Sequence, residues 1–261
     1  MKNKEIPYKF SSFIPHPSSF PEVSIETSRL ILIYRRLLKA FGPQGWWPVS
    51  PGGGRRPAYR PRFYGPRSAE AMFEICAGAI LTQNTAWNNA LSALAGLAKG
   101  GNLNPAAISR MDPRTLGGLI RSSGFYRQKA ARLKIFSRYL LARHPEGLKR
   151  WFAAVPAEEL RAELLKIKGI GPETADSMAL YAGGKPKFVV DAYTHRVFGR
   201  LGLIIGTYDG VQAAFESALP RDHRVYNEYH ALLVALGKDY CRKTKPLCGK
   251  CPLKKMCKGK S

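Results

Sequence analysis

Residues 165–176 read LKIKGIGPETAD and set two glycines around one apolar residue, between two stretches of helical periodicity. Glycine adopts backbone conformations that other residues avoid, and Pro172 suits the first turn of a following helix. Amides at a helix N-terminus bind a phosphate group through their N–H groups and the helix dipole. We therefore predict a hairpin between two helices, within residues 164–182, that holds a phosphate backbone; an ordinary helix corner is the alternative. The candidate strand-binding residues are Gly169, Ile170, Gly171 and Thr174.

The sequence on both sides of the hairpin has the periodicity of helices. From residue 69 onward apolar residues recur at three- and four-residue spacing, with glycines and prolines between the segments. Only Phe188-Val189-Val190 resembles a strand, and it is too short and isolated to imply a sheet. We predict an all-α fold of about ten helices joined by short loops. The first helix is expected over residues 25–41 and the last long one over residues 224–240.

Two segments outside this pattern are rich in proline. Residues 1–24 mix Pro, Ser and Lys without periodicity, which predicts a flexible N-terminal tail. Residues 51–67 hold three consecutive glycines, several prolines and five arginines, which predicts a mobile basic loop that could lie along a phosphate backbone.

The charge of the chain indicates its kind of partner. Its 261 residues carry 42 Lys and Arg against 18 Asp and Glu, a formal net charge of +24. Such an excess favours a polyanion, either nucleic acid or an anionic membrane surface. The sequence has no run of about twenty apolar residues and no signal-peptide pattern at its start. We expect a soluble, cytoplasmic protein without a membrane partner, associated with the nucleoid through DNA.

The cysteines are concentrated near the end of the sequence. Four of the five lie in the last 21 residues: Cys241, Cys248, Cys251 and Cys257. Structural disulfides are rare in a reducing cytosol, and four thiolates without a histidine suit an iron–sulfur cluster or a zinc ion. The remaining Cys76 shares an apolar helix face with Met72 and Ile80, which predicts a buried free thiol.

A second polar signal follows the hairpin by about twenty residues, where VVDAYTHRV places Asp191 at a predicted helix start. By itself this aspartate would be an N-cap. Together with the hairpin and the cysteines it resembles the endonuclease III superfamily, the helix-hairpin-helix (HhH-GPD) DNA glycosylases, whose active site combines a glycine hairpin with a later aspartate. The resemblance implies that Asp191 is the catalytic carboxylate. Ionised, it would stabilise the cation that develops on the sugar as the N-glycosidic bond breaks, and would orient the attacking water.

The resemblance also makes Glu173 informative about whether the enzyme cuts the DNA strand. Family members that cut the strand carry a lysine two residues after the second hairpin glycine, and this lysine forms a Schiff base with the sugar. Glu173 occupies that position, and a carboxylate cannot form an imine. We therefore expect a monofunctional glycosylase that leaves an abasic site. A bifunctional lyase that uses Lys166 or Lys168 is the alternative.

The spacing of the four cysteines resembles the [4Fe–4S] loop of endonuclease III and its adenine-specific relatives. Zinc sites usually bring two cysteine pairs from distant hairpins, whereas these cysteines form one compact loop over residues 241–257. The resemblance implies that all four bind a [4Fe–4S] cluster with a structural role. The cluster would present Lys243 and Lys245 to DNA phosphates.

A glycosylase must rotate its target nucleotide out of the duplex and fill the gap. Leu81-Thr82-Gln83-Asn84-Thr85 matches the family segment whose glutamine enters the vacated stack, which implies a filling role for Gln83 and DNA contact for Asn84. The tryptophans and Phe73, together with GFYRQKA at residues 124–130 and KGIG at residues 168–171, resemble the 3-methyladenine glycosylase branch. An alkylated purine is positively charged, so a tryptophan face attracts it. The implied base-pocket residues are Trp46, Trp47 and Phe73.

Two departures from that branch leave the substrate open. Branch members carry a lysine directly after the catalytic aspartate, where this chain has Ala192, and some lack the cysteine loop. Thymine or uracil in a mismatch is therefore an alternative to an alkylated purine. A non-catalytic DNA-binding iron–sulfur protein is the alternative from another class of function.

We expect two helical lobes with double-stranded DNA containing the damaged base bound at their junction, and a monomeric protein. One lobe would combine residues 25–68 with residues 191–240. The other lobe would be residues 69–190, and the iron–sulfur loop would follow at residues 241–257.

Overall fold

The computed structural model describes residues 27–51, 57–66, 68–203 and 206–259. Within them the chain forms twelve α-helices, short 3₁₀ turns and no β-strand, which confirms the all-α prediction. The helices are α1 (Thr27–Phe41), α2 (Ala69–Leu81), α3 (Trp87–Lys99), α4 (Pro105–Arg110), α5 (Pro113–Leu119), α6 (Tyr126–Arg143), α7 (Leu148–Ala154), α8 (Ala157–Leu165), α9 (Pro172–Ser177), α10 (Ala192–Leu201), α11 (Tyr208–Ala218) and α12 (His223–Asp239). Helix α9 continues into a π-helical turn, Met178–Ala182. None of the described helices is long and apolar enough to cross a membrane.

The predicted flexible tail, residues 1–24, lies outside the described residues, as do residues 52–56 and 67 of the predicted basic loop. The described part of that loop is attached to the rest of the molecule, contrary to the mobile loop that its composition predicts. The Ala58 amide donates to the Val49 carbonyl at 3.1 Å, and the Tyr64 hydroxyl donates to the Glu228 carboxylate at 3.0 Å. The aromatic residues of the loop supply contacts that its glycines and prolines cannot make.

Helix α2 is the centre of one set of helices. Every residue from Met72 to Leu81 is buried, as expected of a helix that is apolar on all faces. It packs against α3, α6, α7, α9 and the π-helical turn. Cys76 has no exposed surface, which confirms the prediction of a buried free thiol.

A second set of helices consists of α1, α10, α11 and α12. Helix α12 packs against α1 and α10, and it also contacts the π-helical turn of the first set. One continuous hydrophobic core therefore runs through both sets. Asp191, the residue before α10, lies where the chain passes from the first set to the second.

The strand-like run Phe188-Val189-Val190 is not helical and pairs with no strand among the described residues. Side chains of α11 take the place of a strand partner. The Phe188 amide donates to Glu216 at 2.8 Å, and the Gln212 amide nitrogen donates to the Phe188 carbonyl at 2.6 Å. Because these buried backbone groups are satisfied, the run can lead directly to Asp191 without a sheet.

Candidate active site

Asp191 caps α10 and also faces the interior of the molecule. Its Oδ1 atom accepts hydrogen bonds from the Thr194 amide at 2.8 Å and the Thr194 hydroxyl at 3.0 Å. Its Oδ2 atom lies 3.5 Å from Nε2 of His230 on α12. Burial alone would raise the pKa of Asp191, but His230 and the bonds from Thr194 outweigh burial and hold this pKa below its ordinary value. The capping and catalytic interpretations are therefore compatible, because capping uses only one oxygen.

His230 is held on its other side by Tyr181. The Tyr181 hydroxyl lies within hydrogen-bond distance of His230 Nδ1, and the two residues are only 1% and 5% exposed. Tyr181 belongs to the π-helical turn, a local irregularity that is frequent at functional sites. The turn thus directs a phenol toward the histidine that faces Asp191.

Five side chains form a group that we call the aromatic cluster: Trp46, Trp47, Tyr59, Trp87 and Tyr181. The ring centroids of the three tryptophans lie 4.9–5.2 Å apart, and Tyr181 is 5.5 Å from Trp47. The three indole N–H groups are buried and have no hydrogen-bond partner among the described residues. A buried donor without an acceptor is unfavourable, so the cluster carries hydrogen-bond donors that the described residues leave unused.

Two buried carboxylates hold the segment that carries the first two tryptophans. Glu228 on α12 accepts a hydrogen bond from the Gln44 amide at 2.7 Å. Glu74 on α2 accepts bonds from the Ser50 amide at 3.0 Å and the Ser50 hydroxyl at 2.7 Å. Because these anchors belong to the two different sets of helices, the segment is fixed between them.

Of the three predicted pocket residues, Trp46 and Trp47 lie in the aromatic cluster and Phe73 does not. The Phe73 ring is 2% exposed and stacks on Phe136 in the core, with centroids 6.2 Å apart. The sequence interpretation missed Trp87 and Tyr59. Trp87 could have been found, since it follows the Gln83 segment by about one helical turn.

The hairpin joins α8 to α9 as predicted. Gly169 has φ +93°, and a Cβ atom there would lie 2.5 Å from Arg132 Cγ, so both the turn and the contact require glycine. The amides of Gly169 and Gly171 have no acceptor within the described chain. The amide of Ile170 donates to the Ile167 carbonyl at 3.0 Å. The Ile170 amide is therefore already bonded within the hairpin.

A cleft of about 680 Å³ beside the hairpin brings together the residues predicted to contact DNA. Its lining includes Gln83, Asn84, Gly169, Ile170, Gly171, Glu173 and Thr174. Asn84 is exposed and has φ +52°. The Gln83 side chain accepts a hydrogen bond from Arg132, which also touches Gly169.

Glu173 lies in the lining of this cleft and is exposed to solvent. Burial and the nearby charge of Asp191 raise the pKa of Glu173 to about 7, with His230 acting in the opposite direction. The position predicted for a lyase lysine therefore lies within electrostatic reach of Asp191.

Phe125 is a second exposed group, and the sequence interpretation did not single it out. Its side chain is 64% exposed, and the residue has φ +45° at the N-terminus of α6. The turn is held to the end of α2 because Lys129 donates to the Leu81 carbonyl at 2.8 Å and the Ser123 carbonyl at 2.6 Å. In the sequence, a glycine followed by an aromatic residue directly before a helix is the pattern that could have indicated Phe125.

The four cysteines of residues 241–257 lie near one another. Burial, followed by the charges of the other three thiols, raises the pKa of Cys251. Arg200 on α10 donates to Cys241 Sγ at 3.3 Å. In the described ranges, no three His, Cys, Asp or Glu side chains stand close enough to form a ready metal-ligand group. Lys243 and Lys245 are exposed between the first two cysteines.

Sequence comparisons identify the family. Residues 77–221, more than half of the chain, match the model of the HhH-GPD superfamily base excision DNA repair proteins. A candidate DNA repair glycosylase of Methanocaldococcus jannaschii, MJ1434, is 41% identical over 230 residues, which cover 87% of this chain and 95% of that protein. Endonuclease III of Thermotoga maritima is 32% identical over 158 residues, 59% of this chain and 67% of that protein.

Solved structures share the fold of this chain. A non-covalent endonuclease III–DNA complex is similar with a TM-score of 0.71 and 22% identity, covering 90% of this chain and 96% of that one. The Helicobacter pylori 3-methyladenine DNA glycosylase MagIII, bound to 1,N6-ethenoadenine, is similar with a TM-score of 0.64 and 26% identity, covering 82% and 98%. The chain therefore belongs to the HhH-GPD superfamily of base excision DNA repair proteins, as an endonuclease III-like DNA glycosylase.

Proposed function

We propose that this glycosylase is monofunctional, removes an alkylated purine from double-stranded DNA and uses Asp191 as its catalytic carboxylate. The observation that carries the proposal is a buried Asp191 with a lowered pKa, connected through two side chains to an aromatic cluster. A sugar cation needs a fixed negative charge, and a positively charged base needs π faces.

In the proposed reaction the target nucleotide leaves the duplex and its base enters the aromatic cluster. The N-glycosidic bond breaks as positive charge develops on the sugar, and the Asp191 carboxylate stabilises that charge. Water attacks the sugar carbon C1′, with its proton passing to the carboxylate or to solvent. A cationic alkylated purine takes the bonding electron pair and leaves as a neutral base, so no general acid has to protonate it.

Two observations favour an alkylated purine as the base. Each ring that stacks on a base contributes about 1–3 kcal/mol, which offsets the few kcal/mol needed to extrude the nucleotide. The unpaired indole N–H groups offer donors to purine ring nitrogens. MagIII, which is 26% identical to this chain, has been solved with an ethenoadenine, and this supports a modified purine here as well.

Glu173 supports a monofunctional enzyme. A carboxyl group at this position can neither attack the sugar as an amine nor form an imine. At a pKa of about 7 it is partly neutral at physiological pH, which limits the negative charge that it adds beside Asp191. The product would then be an abasic site in an intact strand.

The cleft provides the groups that would bind the DNA strand and fill the gap left by the extruded base. The amides of Gly169 and Gly171 would bind a backbone phosphate beside the N-terminus of α9. Gln83 would fill the place of the extruded base. Phe125 would enter the stack from the turn before α6, where Arg121 and Arg127 lie on either side of it in sequence and approach the Tyr126 ring at 6.0 Å.

The donor set at residues 241–257 suits a [4Fe–4S] cluster, because it offers four cysteine thiols and no histidine within one compact loop. The ligands would be Cys241, Cys248, Cys251 and Cys257. The cluster, when bound, would supply a rigid cross-link rather than take part in base removal. The loop between the cysteines would then present Lys243 and Lys245 to DNA phosphates.

A panel of duplexes, each with one defined lesion, tests the proposal. We expect alkali-labile sites with alkylated purines and intact strands when alkali is omitted. Release confined to mismatched thymine or uracil would overturn the proposed substrate. Strand cleavage without alkali would overturn the monofunctional assignment.

A further inference from the structure

Three buried side chains form a line from the catalytic carboxylate to the aromatic cluster. Asp191 Oδ2 lies 3.5 Å from His230 Nε2, and His230 Nδ1 lies within hydrogen-bond distance of the Tyr181 hydroxyl. The Tyr181 ring is 5.5 Å from Trp47. Each member comes from a different element: the N-cap of α10, helix α12 and the π-helical turn.

The two ring nitrogens of His230 have one arrangement that suits both neighbours. If Nε2 carries the proton, it faces the Asp191 carboxylate, and Nδ1 is free to accept a bond from the Tyr181 hydroxyl. The reverse arrangement would point a nitrogen lone pair at the carboxylate. His230 Nε2 has no hydrogen bond of good geometry within the described residues, so the pair is close but not yet tightly bonded.

In this arrangement the position of the Asp191 Oδ2 atom depends on His230. Thr194 donates both of its hydrogen bonds to Oδ1 of Asp191, and Oδ2 has only the histidine opposite it in the described part of the chain. The other titratable groups that interact with the pair are Glu173 from α9, Tyr181 from the π-helical turn and Tyr193 from α10.

We propose that His230 is a positioning residue that fixes the Asp191 carboxylate and, through Tyr181, couples it to occupation of the aromatic cluster by the base. The inference rests on the proposed function, since it concerns the step in which the base is released. A base that stacks against Trp47 and Tyr181 shifts the phenol. The phenol in turn shifts the imidazole toward Asp191 and shortens the 3.5 Å separation.

Single-turnover base release by His230→Gln and Tyr181→Phe tests this proposal, with His223→Gln on the same helix as the control. We expect His230→Gln to lower the rate of release about 10-fold to 100-fold, the range for losing one hydrogen bond to a charged group. Binding to a duplex with an uncleavable abasic analogue should stay within about twofold. The acid limb of the rate–pH profile should move to higher pH, because Asp191 loses the group that favours its ionised form.

Coupling to the base is tested by Tyr181→Phe, which removes a single oxygen atom and leaves the ring. Its effect should disappear in the His230→Gln background, since both act through one histidine. Fully additive effects would overturn the coupling, and an unchanged rate and acid limb in His230→Gln would overturn the positioning role. If His230→Gln does not fold, a wild-type rate and pH profile for Tyr181→Phe would overturn the proposal. Failure of the wild-type protein to release any base would instead overturn the proposed function.

Discussion

Gln83 Nε2 lies 3.0 Å from the carbonyl oxygen of Gly169, and this hydrogen bond ties the end of α2 to the hairpin. The same nitrogen donates to the Thr174 hydroxyl at 2.9 Å. A glutamine that is to enter the base stack must give up both bonds. The cleft therefore holds Gln83 in a resting position, from which DNA would have to release it.

Replacement of Gln83 by alanine should slow base release from a paired lesion by about tenfold, because no side chain then fills the gap and the extruded state is less stable. A lesion placed in an unpaired bubble already has its stack disrupted. The variant should therefore act on it at nearly the wild-type rate. Equal losses on both substrates would contradict a filling role for Gln83.

The raised pKa of Glu173 predicts that the free energy of unfolding depends on pH. Its carboxyl pKa is about 7 in the folded chain against an ordinary 4.5, so the folded chain holds this proton more tightly. The free energy of unfolding should then fall as the pH rises through that window. Glu173→Gln removes the ionisation, so its Tm should modestly exceed that of the wild type at pH 8, because solvent screens this exposed carboxyl, and should match it only below about pH 4. The same Tm difference at both pH values would show that Glu173 does not titrate in this way.

The position of Glu173 also predicts the result of borohydride trapping on DNA. The wild-type protein should give no efficient covalent complex, because it has no amine at this position. Glu173→Lys places an amine within electrostatic reach of Asp191 and should form a trapped complex, while Glu173→Gln should not. A strong complex with the wild type would show that another lysine, such as Lys166 or Lys168, acts as a lyase.

The cysteine loop predicts iron and sulfide in the purified protein together with a salt-dependent affinity for DNA. Lys243→Gln combined with Lys245→Gln should reduce the slope of log Kd against log salt by about two, one for each lost phosphate contact. The control Lys149→Gln, exposed on α7, should leave the slope unchanged. A colourless protein with stoichiometric zinc would reject the cluster, and an unchanged slope would reject the role of the lysines.

Features that depend on short stretches of sequence could be predicted. Helix order follows from apolar periodicity, and α12 begins and ends within one residue of the prediction. The hairpin follows from its glycines, of which Gly169 takes a positive φ that other residues avoid. Asp191 follows from its place at a helix start and from the family resemblance.

Features that depend on contacts between distant segments could not be predicted. His230 and Tyr181 are separated by 49 residues and lie on buried faces, where histidine and tyrosine have no distinguishing pattern. The resemblance implies a pocket role for Phe73, but α2 is buried on all faces and gives its ring a core neighbour instead. The hydrogen bond of the Ile170 amide likewise depends on the exact path of the turn.

Single-turnover base release by Asp191→Asn, measured beside its binding to a duplex with an uncleavable abasic analogue, tests the central claim most directly. Asparagine can still cap α10, so the fold should be kept while the negative charge is lost. We predict a loss of at least about 100-fold in the rate of release, with affinity for the duplex within about twofold of wild type. A release rate close to that of the wild type would contradict the account, because the sugar cation would then be stabilised by some other group.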